Sequence, residues 1–457
     1  MTVARQLAEF LVGTSAASLP AQALDHAAMV IASTLASAAC GVGIDSSRIV
    51  REMALERGGR PDASVWFGSG ERLPVADAAQ VNAVASDAAA SDDSDLRNIV
   101  HAGTPLTAAS LALAERESAD GAAVLRAIVL GYEAAGRISE AVTPGLRARG
   151  FHGCHGAVFA AAVASGVLLR LDAGRLAQAI AIAATSIGGL ATAADTSVAR
   201  EYHAGLAAQL GVNAALAAQK GYQVEARILE APEGFFAVYG GVDGAAAAAV
   251  ATRGMGESWD IVTDMAIKLV PGGHPYHALG EAAANAARDG GIAAADVESI
   301  TVSRPGMTRL SGPLHPASLI DMAHSPAYFV AAGVADQAFS WVHASPAKIA
   351  DPVIHGLIDR VRVGAPPDGD EIGRFRQGAR VTIRTHDGRI SASTVYLPKG
   401  AGALGIAWDE VDAKYRTLVP VSGLAGPAVE ASLGMIHGFR RVADVSRLTA
   451  LLRVGAG

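Results

Sequence analysis

The fold is decided by residues 157–169, which read AVFAAAVASGVLL. This run is apolar apart from Ser165 and Gly166, and it stops at Arg170. A helix needs about 20 apolar residues to cross a bilayer, so a run of about 13 is too short to span one. Because alanine is small and favours the helix, neighbouring helices can pack closely against such a stretch. The stretch therefore predicts a buried core helix in a mainly helical protein, and we expect no membrane partner.

The segments around this stretch repeat the helical pattern. Apolar residues recur at helical spacing in residues 17–39, with Pro20 near the start. Asp172 precedes another apolar stripe and is predicted to be its N-cap. Strand signals are scarce here, and residues 65–67 predict only a small hairpin or an extended loop. Further helices are expected in residues 107–115, 121–142 and 205–220.

Beyond about residue 262 the pattern changes to mixed strands and helices. Residues 297–303 and 358–363 alternate as strands do, and Asp387-Gly388 between two alternating runs predicts a hairpin over residues 380–397. Helical patterns flank these strands at 278–288 and 327–335, and residues 408–452 return to helix. The expected fold is mostly α: a large all-helical domain, residues 1–262 plus 401–457, interrupted by a smaller α+β domain, residues 263–400.

Composition excludes several classes of protein. The chain has 457 residues, 51% hydrophobic and 18% charged, which is typical of a globular protein with a large core. Its net charge of −7 argues against a nucleic-acid partner. The two cysteines, Cys40 and Cys154, form no CxxC motif, so neither a disulfide scaffold nor a cysteine zinc site is expected. The N-terminal residues show no secretory signal pattern, so we expect a cytoplasmic protein.

The first cluster of reactive side chains lies between residues 91 and 103. Asp92, Asp93 and Ser94 are followed by His101, which combines carboxylates, a hydroxyl and an imidazole within about ten residues, a set suited to proton transfer. One helical turn and a loop would bring them into one cleft. The alternative is an acidic N-cap on a solvated loop.

The second cluster, residues 149–156, opens the alanine-rich helix. Glycines at a helix start expose backbone N–H groups that attract an anion, and His152 or His155 would complete a carboxylate site. The spacing of these two histidines also fits a metal on one helix face, but no third ligand is near in sequence, so no metal is expected. The alternative is a glycine-rich turn with a capping histidine.

Two further clusters contain cationic residues. Arg200 and His203 open another helix, and Lys268 stands beside a Pro-Gly-Gly turn that leads to His274 and His277. Lysine is scarce in this chain, and unlike arginine it can lose its proton when buried and act as a base. Ordinary helix capping and a surface lysine are the alternatives. Four such clusters in an alanine-rich chain favour one shared site over a helical scaffold without a ligand.

Together these segments resemble the MmgE/PrpD family, which includes 2-methylcitrate dehydratase, cis-aconitate decarboxylase and iminodisuccinate epimerase. The similar motifs run in family order over nearly the whole chain: Asp92-Asp93-Ser94 with His101-Ala102-Gly103, Gly131-Tyr132-Glu133, Gly150-Phe151-His152, Tyr202-His203-Ala204-Gly205, Lys268-Leu269-Val270-Pro271 with His277, and the hairpin at Asp387-Gly388. The chain departs from the family at Arg200, where lysine is usual, and at Val270, where tyrosine is usual. Ser94, Ala102 and the Gly272-Gly273 pair are smaller departures.

The resemblance implies a helical domain with a smaller α+β lid domain, a homodimer, and action on a small di- or tricarboxylate without metal or organic cofactor. It implies proton removal next to a carboxylate, with 2-methylcitrate dehydratase-like elimination of water as the expected reaction. The alternatives are cis-aconitate decarboxylase-like or iminodisuccinate epimerase-like chemistry and an inactive carboxylate-binding paralogue. The expected catalytic residues are Lys268, His101, Asp92, Asp93 and His152, and the expected substrate-binding residues are Ser94, Arg200, His203, His274 and His277.

Overall fold

The computed structural model describes residues 1–367 and 369–455 and divides the chain into two compact units. The first unit combines Met1–Ile267 with Ile406–Gly457, and the second is Lys268–Gly405. Both divisions fall a few residues C-terminal to the boundaries expected from the sequence. The first unit is built almost wholly of helices and the second mixes helices with a sheet, so the predicted fold class is confirmed.

The first unit is organised around the alanine-rich helix Cys154–Leu168, which packs against Gly103–Glu117, Gly121–Val142 and Ala199–Gln219. Small residues allow this packing: a Cβ on Gly131 would lie 2.6 Å from the Ala160 carbonyl oxygen. The predicted core helix is therefore confirmed. The helices of this unit are Val3–Gly13, Ala21–Gly41, Asp45–Arg57, Val75–Ala88, Gly103–Glu117, Gly121–Val142, Gly145–Ala148, Cys154–Leu168, Ala173–Ala184, Ala191–Thr196, Ala199–Gln219, Gly244–Thr252, Asp260–Thr263, Trp408–Leu418, Gly426–His437 and Ser446–Leu451.

Local signals set the start of several helices in this unit. Asp172 is the N-cap of Ala173–Ala184, and its carboxylate accepts a hydrogen bond from the Arg175 N–H, as predicted. The helix expected over 205–220 instead begins at Ala199, because its first turn includes the charged residues that the sequence placed in the preceding cap.

Among the described residues, one helix, Ala21–Gly41, is long and apolar enough to cross a bilayer. Its most apolar window is 89% buried inside the protein, and the helix packs against Val75–Ala88 and Trp408–Leu418. This is the environment of a core helix.

Two short antiparallel sheets complete the first unit. Ala63–Ser64 pairs with Arg72–Leu73, and residues 65–67 lie in the connection between them, consistent with the expected hairpin. Asp93–Asp95 pairs with Met265–Ile267. The expectation of a helical turn at the first acidic cluster is therefore wrong, because these residues form a buried strand whose partner is distant in sequence.

The second unit has a four-stranded sheet in the order Val361–Val363, Val297–Ser303, Ala379–Thr385, Ile390–Val395. The first pair is parallel and the other two pairs are antiparallel. Gly388 has φ +88° in the turn between the last two strands, which confirms the predicted hairpin. The helices of this unit are His274–Asp289, Leu319–Ala323, Pro326–Asp336, Pro346–Ile349 and Pro352–Ile358.

One strand of this sheet is shorter than predicted. The strand expected over residues 358–363 begins at Val361, and Ile358 ends the preceding helix. Ile354, Leu357 and Ile358 are all buried, and their spacing is that of one helix face. Ile358 therefore belongs to the helix, although it also fits the alternating pattern of the strand.

Candidate active site

The first acidic cluster lies inside the first unit rather than on a solvated loop. Asp92 and Asp93 are each 1% exposed and Ser94 is fully buried. The strand pairing of Asp93 with Ile267 and of Ser94 with Ala266 holds this segment in an extended conformation. A buried carboxylate is costly without partners, so the contacts of these side chains decide what the cluster can do.

His101 is held by three oxygen atoms around one ring nitrogen. Its Nδ1 lies 2.8 Å from Asp92 Oδ2, 2.7 Å from the Asp93 carbonyl oxygen and 3.2 Å from Ser94 Oγ. A carboxylate and a carbonyl can only accept hydrogen bonds, so we assign the proton to Nδ1. This leaves Nε2 as the nitrogen that gains and loses the second proton, and the Asp92 carboxylate stabilises the imidazolium that forms.

Asp93, like Asp95, is a buried carboxyl group of this cluster whose pKa is raised. Its Oδ2 accepts hydrogen bonds from the Tyr132 hydroxyl and the Gly103 N–H, both at 3.0 Å. Burial, and then the neighbouring charge of Asp92, raise the pKa of Asp93 to about 6. A carboxyl group with a pKa near the working pH can both donate and accept a proton.

Gly103 is required where Asp93 approaches the start of helix Gly103–Glu117. A Cβ there would lie 2.5 Å from Asp93 Oδ1. We expect Gly103→Ala to lower the free energy of unfolding by about 1–3 kcal/mol, because the carboxylate must move away from the Gly103 N–H and the Tyr132 hydroxyl. Urea unfolding measures the change. Gly434→Ala is the matched control, since none of the described residues has an atom within 4 Å of a Cβ there. A loss of unfolding free energy of equal size in both variants would contradict the prediction.

The raised pKa of Asp93 predicts a pH-dependent contribution to stability. The folded state binds this proton more tightly than the unfolded chain does. The contribution is therefore fully present below pH 3.8 and is lost as pH rises through about 6. The difference in unfolding free energy, wild type minus Asp93→Asn, should fall by up to about 3 kcal/mol across this window.

Urea unfolding of both proteins at pH 4.5 and pH 7.5 measures this difference. Asp45→Asn, a change at an exposed carboxylate, is the control and should leave the pH dependence unchanged. A difference between wild type and Asp93→Asn that stays flat or rises with pH would contradict the assignment.

The second and third clusters meet in the first unit. His152 Nδ1 lies 3.3 Å from His203 Nδ1, and the two rings are tilted by 41°. Burial lowers the pKa of His152, and the nearby charges of His101, His203 and Arg200 lower it further. Gly153 lies against the Ile99 carbonyl oxygen, which brings this helix start beside the His101 segment. The structure thus brings Asp92, Asp93, Ser94, His101, His152, Arg200 and His203 into one region.

Arg200 is more constrained than the sequence suggests. Its Nε lies 2.8 Å from Asp87 Oδ1, its Nη2 donates to the Asp87 carbonyl oxygen at 2.8 Å, and both side chains are buried. Asp87 therefore occupies one side of the guanidinium. A bound carboxylate would have to use the other N–H groups of Arg200.

Lys268, His274 and His277 lie in the second unit. The rings of His274 and His277 are 4.6 Å apart, and His277 Nε2 lies 3.2 Å from the Gly272 carbonyl oxygen. His277 also stacks on Phe329 and lines a cavity of about 220 Å³ with Leu269 and Glu281. The roles expected for these three residues stay predictions.

Sequence reasoning missed three partners in the first unit. The motif Gly131-Tyr132-Glu133 does not reveal that the Tyr132 hydroxyl donates a hydrogen bond to Asp93 Oδ2. Asp87 is a charged residue in the buried second half of helix Val75–Ala88, and a charge at such a position is a usable signal of a buried partner. Cys154 lies beside the two histidines, and burial raises the pKa of its thiol to about 12, so it is not an activated nucleophile.

Comparison with known proteins places the chain in a family. The family model of the MmgE/PrpD N-terminal domain matches residues 5–249, and that of the MmgE/PrpD C-terminal domain matches residues 271–426. The chain is 27% identical to a cis-aconitate decarboxylase of Aspergillus terreus, covering 95% of this chain and 92% of the relative. It is 24% identical to a cis-aconitate decarboxylase of Homo sapiens, covering 99% of this chain and 95% of the relative. The order of the motifs and both domain matches agree: the chain belongs to the MmgE/PrpD family.

Proposed function

We propose that this protein is a lyase that needs no cofactor and removes carbon dioxide from an unsaturated tricarboxylate of the cis-aconitate type. The observation that carries the proposal is the partly exposed His101, whose Nδ1 lies against the Asp92 carboxylate and the Asp93 carbonyl oxygen, so that Nε2 is the nitrogen that can deliver a proton. The names of the two relatives favour decarboxylation over the dehydration that the motifs of the sequence predict by resemblance.

The reaction needs a proton donor but no external oxidant. The bond between carbon and one carboxylate breaks, carbon dioxide leaves, and the electron pair stays on carbon. In a β,γ-unsaturated acid the double bond delocalises this pair, and the far end of the allyl system then takes up one proton. Protonated His101 supplies that proton, and the Asp92 carboxylate offsets the charge of the imidazolium before transfer.

The remaining carboxylates of the substrate require cations and donors. Within the first unit Arg200 has guanidinium N–H groups beyond those on Asp87, and His152 and His203 face each other beside it. Ser94 Oγ, 3.2 Å from His101 Nδ1, helps to fix the orientation of the imidazole ring. Such groups, fixed before the substrate binds, stabilise developing negative charge more effectively than water does.

The test is a panel of four acids offered separately to the purified protein: cis-aconitate, citrate, 2-methylcitrate and iminodisuccinate. We expect carbon dioxide to be released from cis-aconitate in a one-to-one ratio with product. Loss of water from citrate or 2-methylcitrate would replace the proposal by a hydro-lyase, and a change of configuration in iminodisuccinate by an epimerase. Binding without turnover of any acid would indicate a carboxylate-binding paralogue.

Three further expectations belong to this proposal. Lys268→Ala should abolish turnover while circular dichroism stays unchanged, and undiminished activity would remove Lys268 from the mechanism.

The homodimer is tested by sedimentation at micromolar concentration, where a monomer would contradict it. The cytoplasmic location is tested by cell fractionation.

A further inference from the structure

The cluster of His152, Cys154 and His203 has the composition of a metal site. One ligand atom from each residue lies within 4.8 Å of the other two. His152 comes just before the helix Cys154–Leu168 and Cys154 is its first residue, whereas His203 lies in the second turn of Ala199–Gln219. No third ligand is near the histidines at 152 and 155 in the sequence. The fold brings His203, about 50 residues away along the chain, next to His152.

The distance between the two histidines fits tetrahedral coordination. Two imidazole nitrogens bound to zinc at about 2.0–2.1 Å and at the tetrahedral angle lie about 3.3–3.4 Å apart. The Nδ1 atoms of His152 and His203 are 3.3 Å apart. The thiolate of a zinc site lies about 3.6 Å from each nitrogen by the same geometry. Cys154 Sγ lies within 4.8 Å of a ring nitrogen of each histidine, so it must move by up to about 1.2 Å.

The sulfur is placed to make that shift. Its nearest polar contacts, the His152 carbonyl oxygen and His155 Nδ1, are both at 3.8 Å and hold it weakly. On one side the cluster is closed by Gly189, where a Cβ would lie 2.6 Å from Cys154 Sγ and 3.3 Å from His203 Nδ1. Asp87 acts electrostatically on both Cys154 and His203 and balances the positive charge of Arg200 beside them.

We propose that His152, Cys154 and His203 bind one thiophilic divalent cation, zinc first, through Nδ1, Sγ and Nδ1. Three protein ligands leave a fourth position for water or a carboxylate oxygen. The Cys154 proton passes to solvent as the thiolate binds. A zinc ion bound to His152 would prevent this side chain from binding the substrate, so zinc inhibits turnover. This inhibition rests on the proposed function, whereas metal binding does not.

Cobalt(II) is the probe, because a thiolate bound to it gives a strong charge-transfer band. Wild type and Cys40→Ser should develop this band with one equivalent of cobalt, and zinc should bleach it. Cys154→Ser should lack the band, and His203→Gln should bind zinc at least about 100-fold more weakly. Cys40→Ser is the matched control, since Cys40 is the other free cysteine of the chain.

A second measurement does not depend on the folding of any variant. X-ray absorption of the zinc-loaded wild type should show one sulfur and two imidazole nitrogens around the metal. Three results would overturn the proposal: a metal shell without sulfur, a cobalt band that survives in Cys154→Ser, or a wild type that retains no zinc. The contact between the two histidines would then be a hydrogen bond only. None of these readouts needs activity, so failure here is distinct from failure of the proposed function.

Discussion

Replacing His101 by Gln is expected to lower kcat by about 10²–10⁴-fold, the usual worth of a general acid or base. Glutamine can keep a polar contact with Asp92, but it cannot carry a proton to the substrate. The buried strand that positions the contacts of His101 remains in place, so circular dichroism and the urea midpoint should change little. Steady-state release of carbon dioxide at saturating substrate measures the effect.

His437→Gln is the matched control for this variant. His437 also pairs with a carboxylate, its Nε2 lying 2.8 Å from Asp412 Oδ1, but the pair is on the surface of the first unit. Its replacement should leave kcat unchanged. Equal activity of His101→Gln and wild type would remove His101 from the chemistry.

Asp87→Ala is expected to lower the free energy of unfolding by about 3–5 kcal/mol, because it leaves the guanidinium of Arg200 buried without its counter-ion. The side chains of this pair are 9% and 2% exposed. The same substitution should raise KM, since Arg200 is no longer held in place for a substrate carboxylate. Urea unfolding and substrate-dependence curves measure the two effects.

The control for Asp87 is Asp195→Ala, which breaks an ion pair of the same chemistry with Arg147. That pair is 60% and 35% exposed, so its loss should cost less than about 1 kcal/mol. If the free energy of unfolding falls by similar amounts in the two variants, burial of the Arg200–Asp87 pair adds nothing to stability. If Asp87→Ala is stable but KM is unchanged, Arg200 does not bind substrate.

Much of the helical architecture could be predicted from the sequence because its signals are local. The alanine-rich stretch, the N-cap at Asp172 and the Asp387-Gly388 turn each depend on neighbours a few residues away. Boundaries were less predictable: Ile358 fits both an alternating strand and a helix face, and packing decides between them.

The strand Asp93–Asp95 could not be predicted in this way. It is three residues long, it is acidic, and its partner Met265–Ile267 is far along the chain, so neither alternation nor hydrophobicity marks it. Its burial is nevertheless what raises the pKa of Asp93 and orients His101.

In the candidate site, too, local features could be predicted from the sequence and contacts between distant segments could not. The residue types and their order indicated His101, His152 and Arg200, but the partners that define their states come from elsewhere in the first unit. Asp87 and Tyr132 lie on other helices, and the closeness of His203 to Cys154 depends on how two helices start side by side. Sequence spacing carries no information on such contacts between distant segments.

Proton NMR of the wild-type protein with cis-aconitate in D₂O is the decisive test of decarboxylation with proton delivery by His101. We expect loss of one carboxyl group as carbon dioxide and one deuterium in each product molecule, because exchangeable His101 delivers the proton to carbon. Unchanged cis-aconitate, or a decarboxylated product without deuterium, would contradict it.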